Sequence, residues 1–394
     1  MMDVPSLVWV LTIAGIVALL VFDFIFHVRH AHIPTLKEAA IWSSMYVGIA
    51  LCFGLVILAF GGASPGAEYF AGYITEKALS VDNLFVFLVI INSFRVPGED
   101  QQKVLLFGIV FALVVRTVFI FLGAALITTF AWVFYVFGLI LLVTAGNMLR
   151  PEGSEGKSAS SVMIRITKRL FHTTDYYDGD KLLTVREGKR ALTPMLVVMV
   201  AIAGTDILFA VDSIPAIFGL TQDVFIVFTA NAFALLGLRQ LYFLIDGLLN
   251  RLIFLSYGLA LILAFIGVKL MLHALHENNV AFINDGDPVP VIELDTRLSL
   301  TVIIAVLSVT VLASLLSRRG KVQAVTSAAR RHAANYLDPD YTTEVGERNR
   351  IFTKLLEEEQ QIRSLGPKHR QHANDEKDLV DLISQAHRKH DEKL

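Results

Sequence analysis

The chain has 394 residues, 55% of them hydrophobic and 18% charged, with a formal net charge of −2 and a mean hydropathy of +0.60. Soluble domains average about 45–50% apolar and about 25% charged residues, so this composition excludes an ordinary globular protein. A single cysteine, Cys52, excludes an internal disulfide and reads as a small apolar filler.

Apolar stretches near or above the ~20 residues that cross a bilayer recur to about residue 316, which predicts an all-α polytopic membrane protein. The opening "MMDVPSLVWVLTIAGIVALLVFDFIFHVRH" lacks a basic n-region, and its apolar run is too long for a secretory signal. It reads as a retained first span. Nine spans are expected, at about 5–27, 38–60, 68–92, 104–126, 130–149, 191–218, 222–249, 251–275 and 298–316. Lys and Arg collect in "HVRHAHIPTLKE", in "SFRVPGEDQQK", in the 150–190 segment and in the tail that opens "SRRGK". The opposite connections, "GGASPGAEY", "TTF", "GLTQD" and "HENNVAFINDGDPVPVIELD", are short or acidic. Basic residues mark cytoplasmic loops, so the N-terminus is expected outside and the tail inside a cell membrane.

Asp23, Asp246 and Lys269 lie nearer span ends, where snorkelling to the interface is expected. Residues 172–190, "HTTDYYDGDKLLTVREGKR", suggest a solvated loop with a short hairpin around Asp178–Gly179. The chain thus divides into a transmembrane unit, 1–316, and a polar tail, 317–394. The tail is too poor in apolar residues for a large core. Amphipathic helices are expected around "RNRIFTKLLEEEQQIRSL" and "EKDLVDLISQAHRKH". Its histidines, His332, His369, His372, His387 and His390, match no tight ligand spacing and read as solvated.

Two segments of the membrane unit resemble each other. In "YITEKALSVDNLFVFLVI" (73–90) Asp82 follows Glu76 by six residues, and in "GTDILFAVDSIPAIF" (204–218) Asp212 follows Asp206 by six. Asn83 and Ser213 then fall in register. Further on, "FALVVRTVF" (111–119) pairs with "FALLGLRQLYF" (233–243), matching Arg116 to Arg239. The sequence "FGLILLVTAGNML" (137–149) pairs with "YGLALILAFIGVKL" (257–270). Spans 3–5 (about 68–149) are therefore expected to repeat as spans 6–8 (about 191–275). Three spans per unit make the second copy inverted, an arrangement of secondary transporters with sites near the midplane on interrupted helices.

Four carboxylates inside spans cost about 2.5–3.5 kcal/mol each if charged and unpaired. Protonation, pairing with arginine or a bound cation would offset that cost. On a helix Glu76 shares a face with Ser80 and Asn83, and Asp206 with Ser213. A six-residue step turns about 240°, which points Asp82 away from Glu76 unless the helix is distorted. Pro215 supplies an expected distortion of span 6, freeing the carbonyl of Val211 beside Asp212. The candidate ligands Glu76, Asp82, Asn83, Asp206, Asp212 and Ser213 all offer oxygen, which suits Mg, Ca or Mn. Arg116 and Arg239 are read as charge-balancing, and Asn147 and Asn231 as secondary contributors. Two acids per repeat against one arginine leave surplus negative charge, which argues against a purely structural lock.

"EKALSVDNLFVF" and "DILFAVDSIPAIFG", with "LTPML" before span 6 and "GLRQLYFLI" in span 7, resemble the TerC family of integral membrane proteins over about residues 40–320. The resemblance implies manganese export and homeostasis, kinship with the lysine-exporter-like superfamily, and functional acids at Glu76, Asp82, Asp206 and Asp212. The tellurium resistance that names the family does not follow from a carboxylate site. Asn147-Met148 departs from the pattern, since a lysine like Lys269 is expected there. The expected function is a secondary transporter exporting a divalent metal, Mn²⁺, by proton antiport. A partner protein that assists metalation or assembly of secreted enzymes through its tail, and a Ca²⁺ transporter on the same scaffold, stay open. No GxxxxGK[ST] motif points to ATP, and no nucleophile–base constellation to an enzyme. Neither a prosthetic cofactor nor a nucleic-acid partner is expected; lipid, metal ion and protons are. The sequence sets no oligomeric state.

Overall fold

In a computed structural model the described residues are 4–28, 36–94, 96–97, 100, 101–130, 132–149, 182–186, 189–245, 252, 254–278, 280, 283–292, 294–337, 345–364 and 377–391. The chain is built from helices: α1 (Ser6–Asp23), prolonged by a π-helical turn (Phe24–Val28), α2 (Leu36–Gly61), α3 (Ala63–Ser93), α4 (Gln101–Thr129) and α5 (Val133–Met148). After a hairpin come α6 (Pro194–Phe218), α7 (Val224–Leu235), α8 (Leu238–Ile245), α9 (Leu255–His276) and α10 (Thr296–Leu316). Start signals are local. Pro194 opens α6, where a missing N–H costs nothing. The Asp223 carboxylate caps α7 by accepting from the N–H groups of Phe225 and Ile226.

Among the described residues seven helical stretches are long and apolar enough to cross a membrane: 6–26, 37–61, 101–129, 194–218, 224–244, 255–276 and 296–316. The other two of the nine expected segments differ from these. Helix α3 is 31 residues long but carries Glu68, Glu76, Lys77 and Asp82, whereas α5 has only 16 residues. The chain is a multi-pass membrane protein by this measure.

One expectation about local structure changes. Helix α6 stays helical across Pro215, and the interruption falls instead between α7 and α8. Leu236 is extended there (φ −60°, ψ 134°) and Gly237 takes φ +77°. A Cβ on Gly237 would stand 2.7 Å from Cβ of Tyr46, so only glycine fits both the backbone and the space. The described residues, otherwise helical or irregular, include one short hairpin. β1 (Leu183–Arg186) pairs antiparallel with β2 (Lys189–Leu192), Leu183 opposite Leu192. This hairpin lies C-terminal to the expected Asp178–Gly179 turn, which falls outside the described residues.

Helices α3, α4, α6 and α7 form the centre, with α3 packed on α7 and α4 on α6, while α5 lies along α9. A Cβ on Gly138 of α5 would stand 3.0 Å from the carbonyl oxygen of Gly267 on α9, so paired glycines let these backbones approach. Leu7 and Leu11 of α1, Phe60 of α2 and Leu312 of α10 are exposed, as lipid-facing side chains are.

The tail folds more fully than its composition suggests. α11 (Arg318–Leu337), α12 (Val345–Ser364) and α13 (Lys377–Asp391) close around Ala333, Tyr336, Phe352, Leu355, Leu379 and Ala386. His332 Nδ1 faces the Glu358 carboxylate at 2.8 and 2.9 Å, and His387 Nε2 lies 2.6 Å from Glu359 Oε1. His390 stacks on Phe352 with centroids 3.8 Å apart and faces the Tyr336 hydroxyl at 2.8 Å. Burial raises the Tyr336 phenol above its ordinary pKa. These three histidines tie helices together; they are not a solvated scatter. His369 and His372 lie outside the described residues.

Candidate ion site

Three central helices each bring one ionisable side chain to a common point: Glu76 from α3, Arg116 from α4 and Asp206 from α6. None of them is more than 2% exposed. Arg116 Nη1 pairs with the Glu76 carboxylate, and its Nη2 lies 3.4 Å from Asp206 Oδ1. With its amide oriented to satisfy both ends, Asn83 accepts from Arg116 Nη2 at 3.1 Å and donates to the Leu79 carbonyl at 3.2 Å. Glu76, Ser80 and Asn83 are all buried, the face that their four- and seven-residue spacing defines. The same holds for Asp206 and Ser213 on α6.

Beside Arg116, Ser80 Oγ and Asp206 Oδ2 are buried without a hydrogen-bond partner; elsewhere on the central helices so are Thr75 Oγ1, Ser213 Oγ and Asn231 Nδ2. Each buried polar group left unmade costs about 1–3 kcal/mol. A cavity of about 10 Å³ touches Ser80, Asn83, Arg116 and Asp206.

The remaining acids lie elsewhere. Asp82 is partly exposed, off the buried face of α3. Asp212, also partly exposed, accepts from Thr144 Oγ1 of α5 at 2.7 Å. Among the described residues no three His, Cys, Asp or Glu side chains converge as a metal-ligand set, so the four acids do not close around one point. The reason is geometric: α3 and α6 remain helical through the six-residue step, which sends the second acid of each pair to another face.

Arg239 on α8 belongs to a different network. Its Nε donates to Asp23 Oδ2 at 3.0 Å, its Nη2 to Oδ1 at 2.8 Å, and its Nη1 to Gln102 Oε1. Gln240 Nε2 and Tyr46 Oη also donate to Asp23, at 2.6 and 3.1 Å. Arg239 therefore balances Asp23 of α1, not the acids of α6. Asp23 is 6% exposed, so it does not snorkel to the interface. The fork of a guanidinium on both carboxylate oxygens is what permits burial of the pair.

Lys77, next to Glu76, is a site residue that spacing did not reveal. Its Nζ donates to the carbonyls of Ala234 at 3.0 Å and Leu236 at 3.2 Å, across the break between α7 and α8. A charged residue inside an apolar run was the available signal; its partners lie over 150 residues away in sequence. Lys269 lines a separate cavity of about 880 Å³ with Glu68, Thr221, Asp223, His273 and Asp295, and donates to Ser299 Oγ at 3.2 Å. Thr221 Oγ1 donates to Glu68 Oε2 at 2.6 Å in the same cavity. Between this cavity and Glu76, Gly72 sits so close to Ile217 and Ala230 that a Cβ would meet both at 3.3 Å.

A multi-pass helical bundle with paired charges at its centre and a broken helix among its spans defines an integral membrane protein with an ionisable core. The chain belongs to the integral membrane protein TerC family, whose family model matches residues 61–322. It is 57% identical to an uncharacterised membrane protein of Mycobacterium tuberculosis over 98% of each chain. An uncharacterised membrane protein of Myxococcus xanthus is 37% identical over 79% of this chain and 92% of its own. Alx of Escherichia coli, named as a candidate membrane-bound redox modulator, is 40% identical over 62% of this chain and 78% of its own. No solved structure matches.

Proposed function

We propose that the chain is a secondary transporter that exports a divalent metal, Mn²⁺ foremost, with protons moving in the opposite sense. The observation that carries this reading is the buried Glu76–Arg116–Asp206 group with the unpartnered Ser80 hydroxyl and Asp206 Oδ2 beside it. Two carboxylates against one guanidinium leave one surplus negative charge in a medium that penalises it. A divalent cation offsets that surplus. Its ligands would be the carboxylates of Glu76 and Asp206, with Asn83, Ser80 and Ser213 as neutral oxygen donors, a set suited to Mn, Ca or Mg. Arg116 is then the internal cation that holds the acids when metal is absent. Asp212 and Asp82, on neighbouring faces of α6 and α3, are acids that the ion meets on its way.

The packing of α3 on α7 and of α4 on α6 is what exchange of two inverted three-span halves would give, which supports the repeat reading. Basic loops support an N-terminus outside and a tail in the cytoplasm. An inside-negative potential opposes export of a divalent ion by about 4.6 kcal/mol per 100 mV. Proton entry can drive it, because the carboxylates hold metal when ionised and protons when not. As for the redox wording attached to the Escherichia coli relative, a dithiol couple within one chain has no second cysteine here.

In proteoliposomes, Glu76→Gln and Asp206→Asn are each expected to cut Mn²⁺ flux at least about tenfold, and wild-type flux is expected to follow an imposed pH gradient. Full flux in both variants, or flux indifferent to pH, overturns the proposal. One observation favours a second reading, a partner protein that docks through its tail: residues 318–391 contain a helical bundle with its own core.

A further inference from the structure

The break between α7 and α8 exposes backbone oxygens inside the bundle. The last carbonyls of a helix have no intrahelical donor, and they carry the negative end of its dipole. α7 ends at Leu235, and the extended Leu236 and left-handed Gly237 turn the chain out of helical register. The carbonyls of Ala234 and Leu236 are met by one group, the ammonium of Lys77 from α3, at 3.0 and 3.2 Å. A lysine ammonium has three donors, so main-chain oxygens at a single point take two of them. The neighbouring charges are engaged elsewhere. Arg239, just beyond the break, is held by Asp23, and Glu76, just before Lys77, is held by Arg116.

Interrupted helices in secondary transporters offer unwound carbonyls and half-helix C-terminal ends to sodium or protons. A lysine ammonium and a dehydrated alkali ion carry the same charge and seek the same oxygens. We propose that the Ala234 and Leu236 carbonyls form a seat for a monovalent cation, and that the ammonium of Lys77 is its resident occupant. The chain thus carries, covalently attached, the cation that a sodium-coupled protein would take from solution. The consequence for coupling, that export needs no sodium, rests on the transport reading; the seat itself does not.

A lysine that merely pins α3 to the broken helix and a lysine that fills a cation seat differ in what replaces them. Removing a pin loses stability that no ion restores, whereas emptying a seat opens it to an ion. The purified full-length chain is melted in detergent in sodium chloride and in choline chloride at equal ionic strength. Wild type and Lys77→Arg, which both keep a tethered cation, are expected to melt alike in the two salts. Lys77→Ala is expected to melt lower in choline and to recover as sodium or methylammonium is raised, saturably, as a ligand that binds only the folded state requires. Indifference of Lys77→Ala to both ions overturns the seat, and so does stabilisation of the wild type by sodium. Should Lys77→Ala not fold, Mn²⁺ flux of the wild type in the two salts decides. Equal flux supports the resident lysine, and sodium-dependent flux overturns it. Absence of flux in either salt sinks the transport reading and leaves the seat to the wild-type melting comparison.

Discussion

The side chain on which the centre turns is Arg116, which is fully buried and faces two acids. Arg116→Met removes the internal cation and leaves Glu76 and Asp206 to a proton or a metal. Under the transport reading the apparent KM for Mn²⁺ is expected to fall while turnover drops, because a bound ion has no guanidinium to hand the site back to. Concentration-dependent flux separates the two quantities, and an unchanged KM with unchanged turnover contradicts this role. Arg239 carries the same charge in a different office, since Asp23 holds it through two nitrogens at 2.8 and 3.0 Å. Breaking a buried pair by removing one partner costs about 3–5 kcal/mol. Asp23→Asn is therefore expected to lower the melting temperature sharply, and the Asp23→Asn, Arg239→Gln double variant to recover part of the loss. Equal melting of Asp23→Asn and wild type would show that the pair holds nothing.

Among the elements, α7 and α8 show how one residue divides a span. "FALLGLRQLYF" reads as continuous helix, because leucine and phenylalanine are good apolar helix fillers and one glycine is tolerated. Gly237 stops it by taking φ +77° against Tyr46 of α2. A left-handed backbone costs an L-residue about 1–2 kcal/mol, and the 2.7 Å approach to Tyr46 adds to that. Gly237→Ala is expected to destabilise the chain by at least about 1–2 kcal/mol, read as a lower melting temperature in detergent. A neutral result would mean that the break tolerates ordinary backbone. Pro215 invites the opposite misreading. Proline suggests a break in α6, yet the helix, packed against α3 and α4, passes through it.

At the level of the whole molecule, the membrane bundle and the tail have separate cores, the first built mainly of Ile, Ala and Leu of the spans and the second closed by Phe352, Tyr336 and Leu355. Deleting residues 320–394 is accordingly expected to leave Mn²⁺ flux in proteoliposomes within about twofold of wild type. Loss of flux in a deletion variant that still folds favours the docking reading. The positions of seven of the nine expected spans, the buried face of Glu76, Ser80 and Asn83, and the family were legible in the sequence because each depends on local period, length or ordered motif. Pairing was not. Asp23 and Arg239 are 216 residues apart, and Lys77 meets carbonyls that carry no side-chain signature at all. The likeness of the segments around Arg116 and Arg239 cannot say which acid each one faces, because Asp23 lies on α1, outside both segments. The tail histidines show the same limit, since their partners Glu358, Glu359 and Tyr336 become neighbours only when three helices close. Sequence alone fixed what can lie in a membrane and which residues resist it, through hydrophobicity and helical period. Only the packed bundle decided which charge offsets which, because in a medium without water a charge is settled by whatever group stands within about 3 Å of it.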